Sequence, residues 1–422
     1  MIDCTRFLPR ALLALAGFCA TIADAHPATT SGAIAMANLD HLLSQPNDPP
    51  ARIELLLAKS RFQGDYAALD QAATLAEALP EDQEGLLLRA RTRAAAHRFA
   101  EALADLREAE RLGASERKVA SQRAAILVAT GQATRALALL ESDALAQPGY
   151  ASHSALASAY AELGRYRDAD RQYREALASL ATTSPFPYAW IHFALGLMWS
   201  EQAGDVHRGE AEYRRALAYL PQFAVANIHQ AEIESRRGDL QSAQARLARV
   251  AETTREPEAL ALLGEVRRRA GMGADAERDI AEAGQRYRSL LSRHPLAFVD
   301  HAAEFYLGAG ADPGRALALA MRNLDNRATP RAFAIAIRAA IADQRDACGL
   351  VRRMESAFDS ADLPPATRAE WKRRAIGAVG VRCPAEAAQA QDRWQVRPGS
   401  GGLTANILRT WNPSITDLSA NN

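Results

Sequence analysis

The stretch Ala151 to Leu180, ASHSALASAYAELGRYRDADRQYREALASL, decides the fold. Apolar residues recur at helical spacing on both sides of a break at Leu163-Gly164-Arg165-Tyr166. Leu156, Ala157 and Tyr160 share one face before it, and Ala169, Tyr173, Ala176 and Leu177 share one after it. The alanines mark places where two helices approach closely, and the tyrosines and leucines fill the space beside them. Gly164 ends the first helix, where a left-handed residue costs least. The result is a helix–turn–helix hairpin that cannot hide its own apolar face and needs a copy of itself on either side.

The copies are present. Turn positions recur at Gly64-Asp65-Tyr66, His97-Arg98-Phe99, Gly131-Gln132-Ala133, Gly164-Arg165-Tyr166, Gly204-Asp205-Val206, Gly238-Asp239-Leu240 and Gly271-Met272-Gly273, at steps of 33, 34, 33, 40, 34 and 33 residues. Self-similarity at this pitch marks a helical repeat array. The composition agrees, being rich in alanine, leucine, arginine and glutamate, which favour helix. Runs of β-branched residues with period-two alternation are nearly absent. The expected fold is all-α: a solenoid of antiparallel helix hairpins, with about seven clear and two degenerate repeats.

Over residues 50–295 the pattern resembles the tetratricopeptide repeat. That family's signature has a small residue at its eighth position, here Ala90, Ala124, Ala157, Gly196, Ala231 and Gly264. Its twentieth position is alanine, here Ala102, Ala136, Ala169, Ala243 and Ala276, and its twenty-seventh is small, here Ala76, Ala109, Ala176, Ala216 and Ala283. The first unit departs from it with Leu57 and Leu69. The fifth departs with Gly209 and an extra residue near Ala203, after a long step through Thr182-Thr183-Ser184-Pro185-Phe186-Pro187.

The resemblance implies that the solenoid is a right-handed superhelix whose first helices line a concave groove through their second, fifth, ninth and twelfth positions. Carried onto this chain, those positions make a protein-binding groove with an apolar anchor at Trp190, Phe193 and Leu197, followed by Ile228 and Glu232, then Glu265 and Arg268. A competing reading places Trp190 and Phe193 in the core, because one inserted residue turns a helix by about 100°.

Around the array the chain divides as follows. Residues 1–25 read as a signal peptide: Arg6 and Arg10, an apolar run from Ala11 to Ala23, and the small residues of Ala23-Asp24-Ala25 before the cleavage point. Residues 26–49 form a leader or amino-terminal cap. Residues 296–383 hold degenerate repeats and a capping helix containing Trp371, and residues 384–422 a flexible tail with Arg397-Pro-Gly-Ser-Gly-Gly402. Cleavage leaves no stretch long enough to span a bilayer and sends the chain to the periplasm. Cys348 and Cys383 then remain, either bonded to each other or as two buried thiols; an oxidising compartment favours the bond.

Fifty basic residues balance fifty acidic ones, which gives no pull toward nucleic acid. No phosphate loop, HExxH or paired-cysteine metal spacing occurs. Near Asp300 and His294, His301 and Glu304 share a helix face and could hold a metal, yet an ordinary surface pair accounts for them. Ser152-His153-Ser154 offers a hydroxyl beside an imidazole without any turn that would activate it. The expectation is therefore no catalytic, cofactor or metal site. The function expected is a non-enzymatic periplasmic scaffold holding a protein or peptide segment. The alternatives are a subunit of an envelope assembly or polysaccharide-export machine and, further off, a metal-dependent hydrolase.

Overall fold

The computed structural model describes residues 28–361, 363–377 and 383. The signal peptide and the tail beyond Cys383 lie outside the described residues. Within them the fold is all-α, with twenty α-helices and no strand. After α1 (Gly32–Ser44), hairpins follow in sequence: α2 (Pro49–Gln63) with α3 (Tyr66–Glu77), α4 (Gln83–Ala95) with α5 (Phe99–Arg111), α6 (Glu116–Ala129) with α7 (Ala133–Ala146), and α8 (Tyr150–Glu162) with α9 (Tyr166–Ala178). The fifth unit pairs α10 (Pro185–Leu197) with α11 (Val206–Tyr219), the sixth α12 (Ala224–Arg236) with α13 (Leu240–Thr253), and the seventh α14 (Pro257–Arg269) with α15 (Gly273–Arg293). Two further hairpins, α16 (Val299–Leu307) with α17 (Pro313–Asn326) and α18 (Pro330–Ala342) with α19 (Ala347–Ser360), precede a last helix, α20 (Pro365–Ile376).

Each hairpin is written locally in the same way. A residue in the left-handed region closes the first helix, and an aspartate often opens the second. Gly64, Gly204 and Gly238 take φ of 65°, 79° and 86°. The Asp65, Asp205 and Asp239 that follow accept hydrogen bonds from the first free backbone N–H groups of α3, α11 and α13. Where glycine is missing the geometry persists: His97, Ala311 and Gln344 carry φ of 57°, 46° and 56°. Close packing explains the small residues. A methyl added at Gly196 would meet the Tyr213 ring at 2.4 Å, so α10 and α11 can touch only without it.

The fifth unit absorbs its extra residue in a π-helical turn at Met198–Gln202, where the Ala203 N–H donates to Met198 O at 2.9 Å instead of to Trp199 O. Such turns take up single insertions without breaking a helix.

The array does not stay open. It coils until its later units lie against its first ones. Phe62 of α2 packs on Phe186 of α10 and on Phe223, at ring separations of 4.8 and 5.0 Å. Tyr66 donates its hydroxyl proton to Glu256 and meets Phe298 edge-on at 4.6 Å. Asp70 of α3 pairs with Arg293, the last residue of the 21-residue α15, and with Nε2 of His294 just beyond it (2.6 Å). Further along, Asn326 donates to the carbonyl of His97 at 3.1 Å, and Gly131 faces the Ala328 carbonyl. Trp371 of α20 donates from its indole to Glu162 O at 2.7 Å. The turn of unit one thus rests on Glu256 and Phe298, ahead of α14 and α16, those of units two and three on Asn326 and Ala328, ahead of α18, and that of unit four on α20 itself.

Candidate functional site

The coiling decides which part of the inner wall stays open. Trp190, Phe193, Leu197 and Ile228 are buried. Arg61, at the end of α2, lays its guanidinium over the Trp190 ring at 5.3 Å. Phe193 lies among the rings of Tyr213, Phe223 and His229. The apolar anchor expected to face a partner is packed by the chain's own first hairpin. The reason is physical: Phe62 and Arg61 are apolar and aromatic-binding surface at the right height, and they are tethered.

The charged residues predicted to follow that anchor separate. Glu232 is buried beside His229 and touches Arg236 at 3.5 Å. Glu265 is half-buried; burial raises its carboxyl to about 7, against the pull of Arg268. Arg268 is exposed and pairs with Glu277 at 3.0 Å.

The inner wall of units one to four keeps a groove of about 830 Å³. Its sides are the first helices α2, α4, α6 and α8. Its apolar parts come from Pro49, Pro50, Leu79, Leu87 and Leu88, and its polar parts from Ser121, Gln122 and Ser152. Six of the seven charges on its walls occur as opposed pairs: Arg91 with Glu54, Lys118 with Glu84 at 2.8 Å and Arg117 with Asp143 at 2.9 Å; the seventh, Asp82, caps α4. Sequence reasoning gave the second and fifth positions of each unit as groove-lining. Glu84, Leu87, Lys118 and Ser121 hold those positions in units two and three, a consequence of the repeat phase that was available before any coordinates.

The candidate catalytic and metal groups are dispersed. Ser152 and Ser154 donate to carbonyls of Gln147 and Tyr150, and His153 pairs with Gln172 at 2.7 Å. Asp300 is fully buried against Arg327, and Glu304 accepts from Arg331 at 2.6 Å. Burial raises the Glu304 carboxyl to about 7 while Arg331 opposes it. His301 faces Glu258 at 3.6 Å, whereas His294 turns away to Asp70. These four do not converge on one point. Among the described residues, one histidine–carboxylate group does converge: Glu201, His229 and Glu232.

No family model matches the chain, and no curated protein does. Solved structures are similar to it. A tetratricopeptide repeat protein from Parabacteroides merdae is 16% identical over 58% of this chain and 99% of its own, with a TM-score of 0.37. The anaphase-promoting complex hetero-tetramer Cut9–Hcn1 is 14% identical over 82% of this chain and 67% of the matched chain, with a TM-score of 0.44. The carboxy-terminal part of a tetratricopeptide repeat protein from Cytophaga hutchinsonii is 13% identical over 60% and 98%, with a TM-score of 0.30. The chain resembles tetratricopeptide repeat proteins in being an all-helical array of repeated hairpins. No helix among the described residues is long and apolar enough to cross a membrane.

Proposed function

We propose that this chain is an exported, non-enzymatic scaffold that holds an extended protein segment in the groove over units one to four. The observation that carries the reading is the division of the inner wall. In units five and six that wall is largely buried in the chain's own core, while α2, α4, α6 and α8 leave a trough lined by both apolar and polar residues. Leucine and proline on its lining favour apolar side chains of a bound segment, and the serines and Gln122 supply partners for its backbone. The three charge pairs cancel and Asp82 leaves the trough only weakly negative, which suits a segment without strong net charge.

Export is supported by the amino-terminal pattern of residues 1–25 and by the Cys348–Cys383 bond, whose Cα atoms lie 5.6 Å apart. A photo-crosslinker placed at Ser121, in the trough, is expected to capture a protein in living cells. The same group at Leu145, on the exposed outer face of α7, is expected to capture none. Equal capture at both positions, or none at Ser121, refutes the groove. A mature amino terminus other than His26 in the fractionated protein counts against the export assignment.

A further inference from the structure

The extra residue of the fifth unit has a chemical result. The π-helical turn that absorbs it carries Glu201 off the regular helical path and into the interior, against the first helix of unit six. There Glu201 Oε1 lies 2.9 Å from His229 Nδ1, and Glu232 Oε2, one turn along α12, lies 3.3 Å from the same nitrogen. The three ligand atoms all fall within 4.8 Å of one another. The side chains are only 3%, 1% and 4% exposed for Glu201, His229 and Glu232. Rings of Tyr213 and Phe193 shut the imidazole off from water.

Despite these short approaches, Nδ1 of His229 makes no well-directed hydrogen bond to either carboxylate, and Glu201 Oε2 meets no partner. Groups this deeply buried are normally satisfied, because an unsatisfied one loses its full hydration. The oxygens sit beside the ring nitrogen without lying along its N–H direction. Ligands around one ion stand that way. Donor atoms held at about 2.0–2.2 Å from a common centre are roughly 3–3.5 Å apart in tetrahedral or octahedral array. Charge points the same way: two carboxylates and a neutral imidazole around a divalent cation sum to zero, which a dry interior tolerates best.

We propose that Glu201, His229 and Glu232 bind one divalent transition-metal ion, of the zinc or manganese type, that ties the π-helical turn of unit five to α12 of unit six. A mixed imidazole and carboxylate set suits these ions, and the absence of thiolate argues against softer ones. The site is independent of the trough over units one to four, so its failure would leave the scaffold reading intact.

The test uses the full-length protein without an affinity tag, stripped with chelator and then dialysed against zinc or manganese. Elemental mass spectrometry is expected to find one equivalent per chain. Glu201→Gln and Glu232→Gln should each weaken retention at least tenfold, with an unchanged circular dichroism spectrum. Absence of stoichiometric metal, or retention undiminished in both variants, overturns the site. Should the variants unfold, X-ray absorption at the zinc edge of the wild-type protein decides it. One imidazole in a shell of light atoms supports the assignment; none, several, or a sulfur ligand overturns it.

Discussion

Gly131 shows how a single residue reports the coiling. Its φ of 81° already asks for glycine, and a methyl there would also meet the Ala328 carbonyl at 2.7 Å, almost two hundred residues away. Gly204 has nearly the same backbone angle but nothing within 4 Å of the added carbon. Either alanine substitution costs ~1 kcal/mol for the backbone alone. Gly131→Ala is expected to cost about 1–3 kcal/mol more, because backbone must shift to make room. Equal losses in thermal melting would mean that the two layers do not touch at this point. Glu265 offers a second test. Burial lifts its carboxyl from the ordinary 4.5 to about 7, with the field of Glu232 assisting and Arg268 resisting. The folded chain then holds a proton that the unfolded chain has released between those values. That contribution is full below the lower value and is lost as pH rises through the upper one. Glu265→Gln should therefore raise the melting temperature most at about pH 8 and by little at about pH 5; a gain independent of pH would refute the assignment. The small residues at Ala157, Ala169 and Ala176 were legible as helix-contact positions. The partnership of Arg61 with Trp190 was not, since both occupy positions that an open array turns toward a ligand.

Among the elements, α20 is the clearest case of a piece fixed from two directions. Trp371 is 1% exposed, stands edge-on to Phe358, and donates to Glu162 O. Cys348 at the start of α19 is bonded to Cys383 beyond its end. Trp371→Ala should cost about 3–5 kcal/mol and open α8 as well as α20. Cys348→Ser should cost roughly 3–4 kcal/mol and spare α8. Reductant should bring the wild-type protein to the melting temperature of that serine variant and leave the variant unchanged; a further fall in the variant would show that the bond is not what reductant acts on. Hairpins eight and nine were readable from apolar spacing through Phe305, Leu319, Phe333 and Ile337, all buried. Their turns were harder, because Ala311 and Gln344 adopt an angle that sequence assigns to glycine. The inserted residue of unit five was visible as a break in phase near Ala203. That it would form a π-helical turn and bury Glu201 depends on the neighbouring helix, which periodicity does not describe.

For the molecule as a whole, the decisive contacts join residues far apart in the chain. Phe62 bridges to Phe186 and Phe223, so Phe62→Ala removes a pin between the first layer and the second. Hydrogen exchange should then quicken in α10 and α12 as well as in α2, with a stability loss of about 3–5 kcal/mol. Loss of protection confined to α2 and α3 would describe an open array in which each unit senses only its neighbours. The repeat pitch announced the hairpins; it carried no signal for the coiling, because contacts between layers recur at no fixed interval. An open row of identical hairpins can lengthen or shorten by whole copies, since every junction resembles every other. Here Gly64 faces Glu256, Gly131 faces Ala328 and Gly164 faces Glu370. A hairpin duplicated between Gly164 and Glu256 would slide all three pairs out of alignment at once, and one duplicated elsewhere between the layers would displace at least one of them. The closed geometry counts its own members, so gain or loss of a whole hairpin within the coil would carry a cost that an open row does not impose.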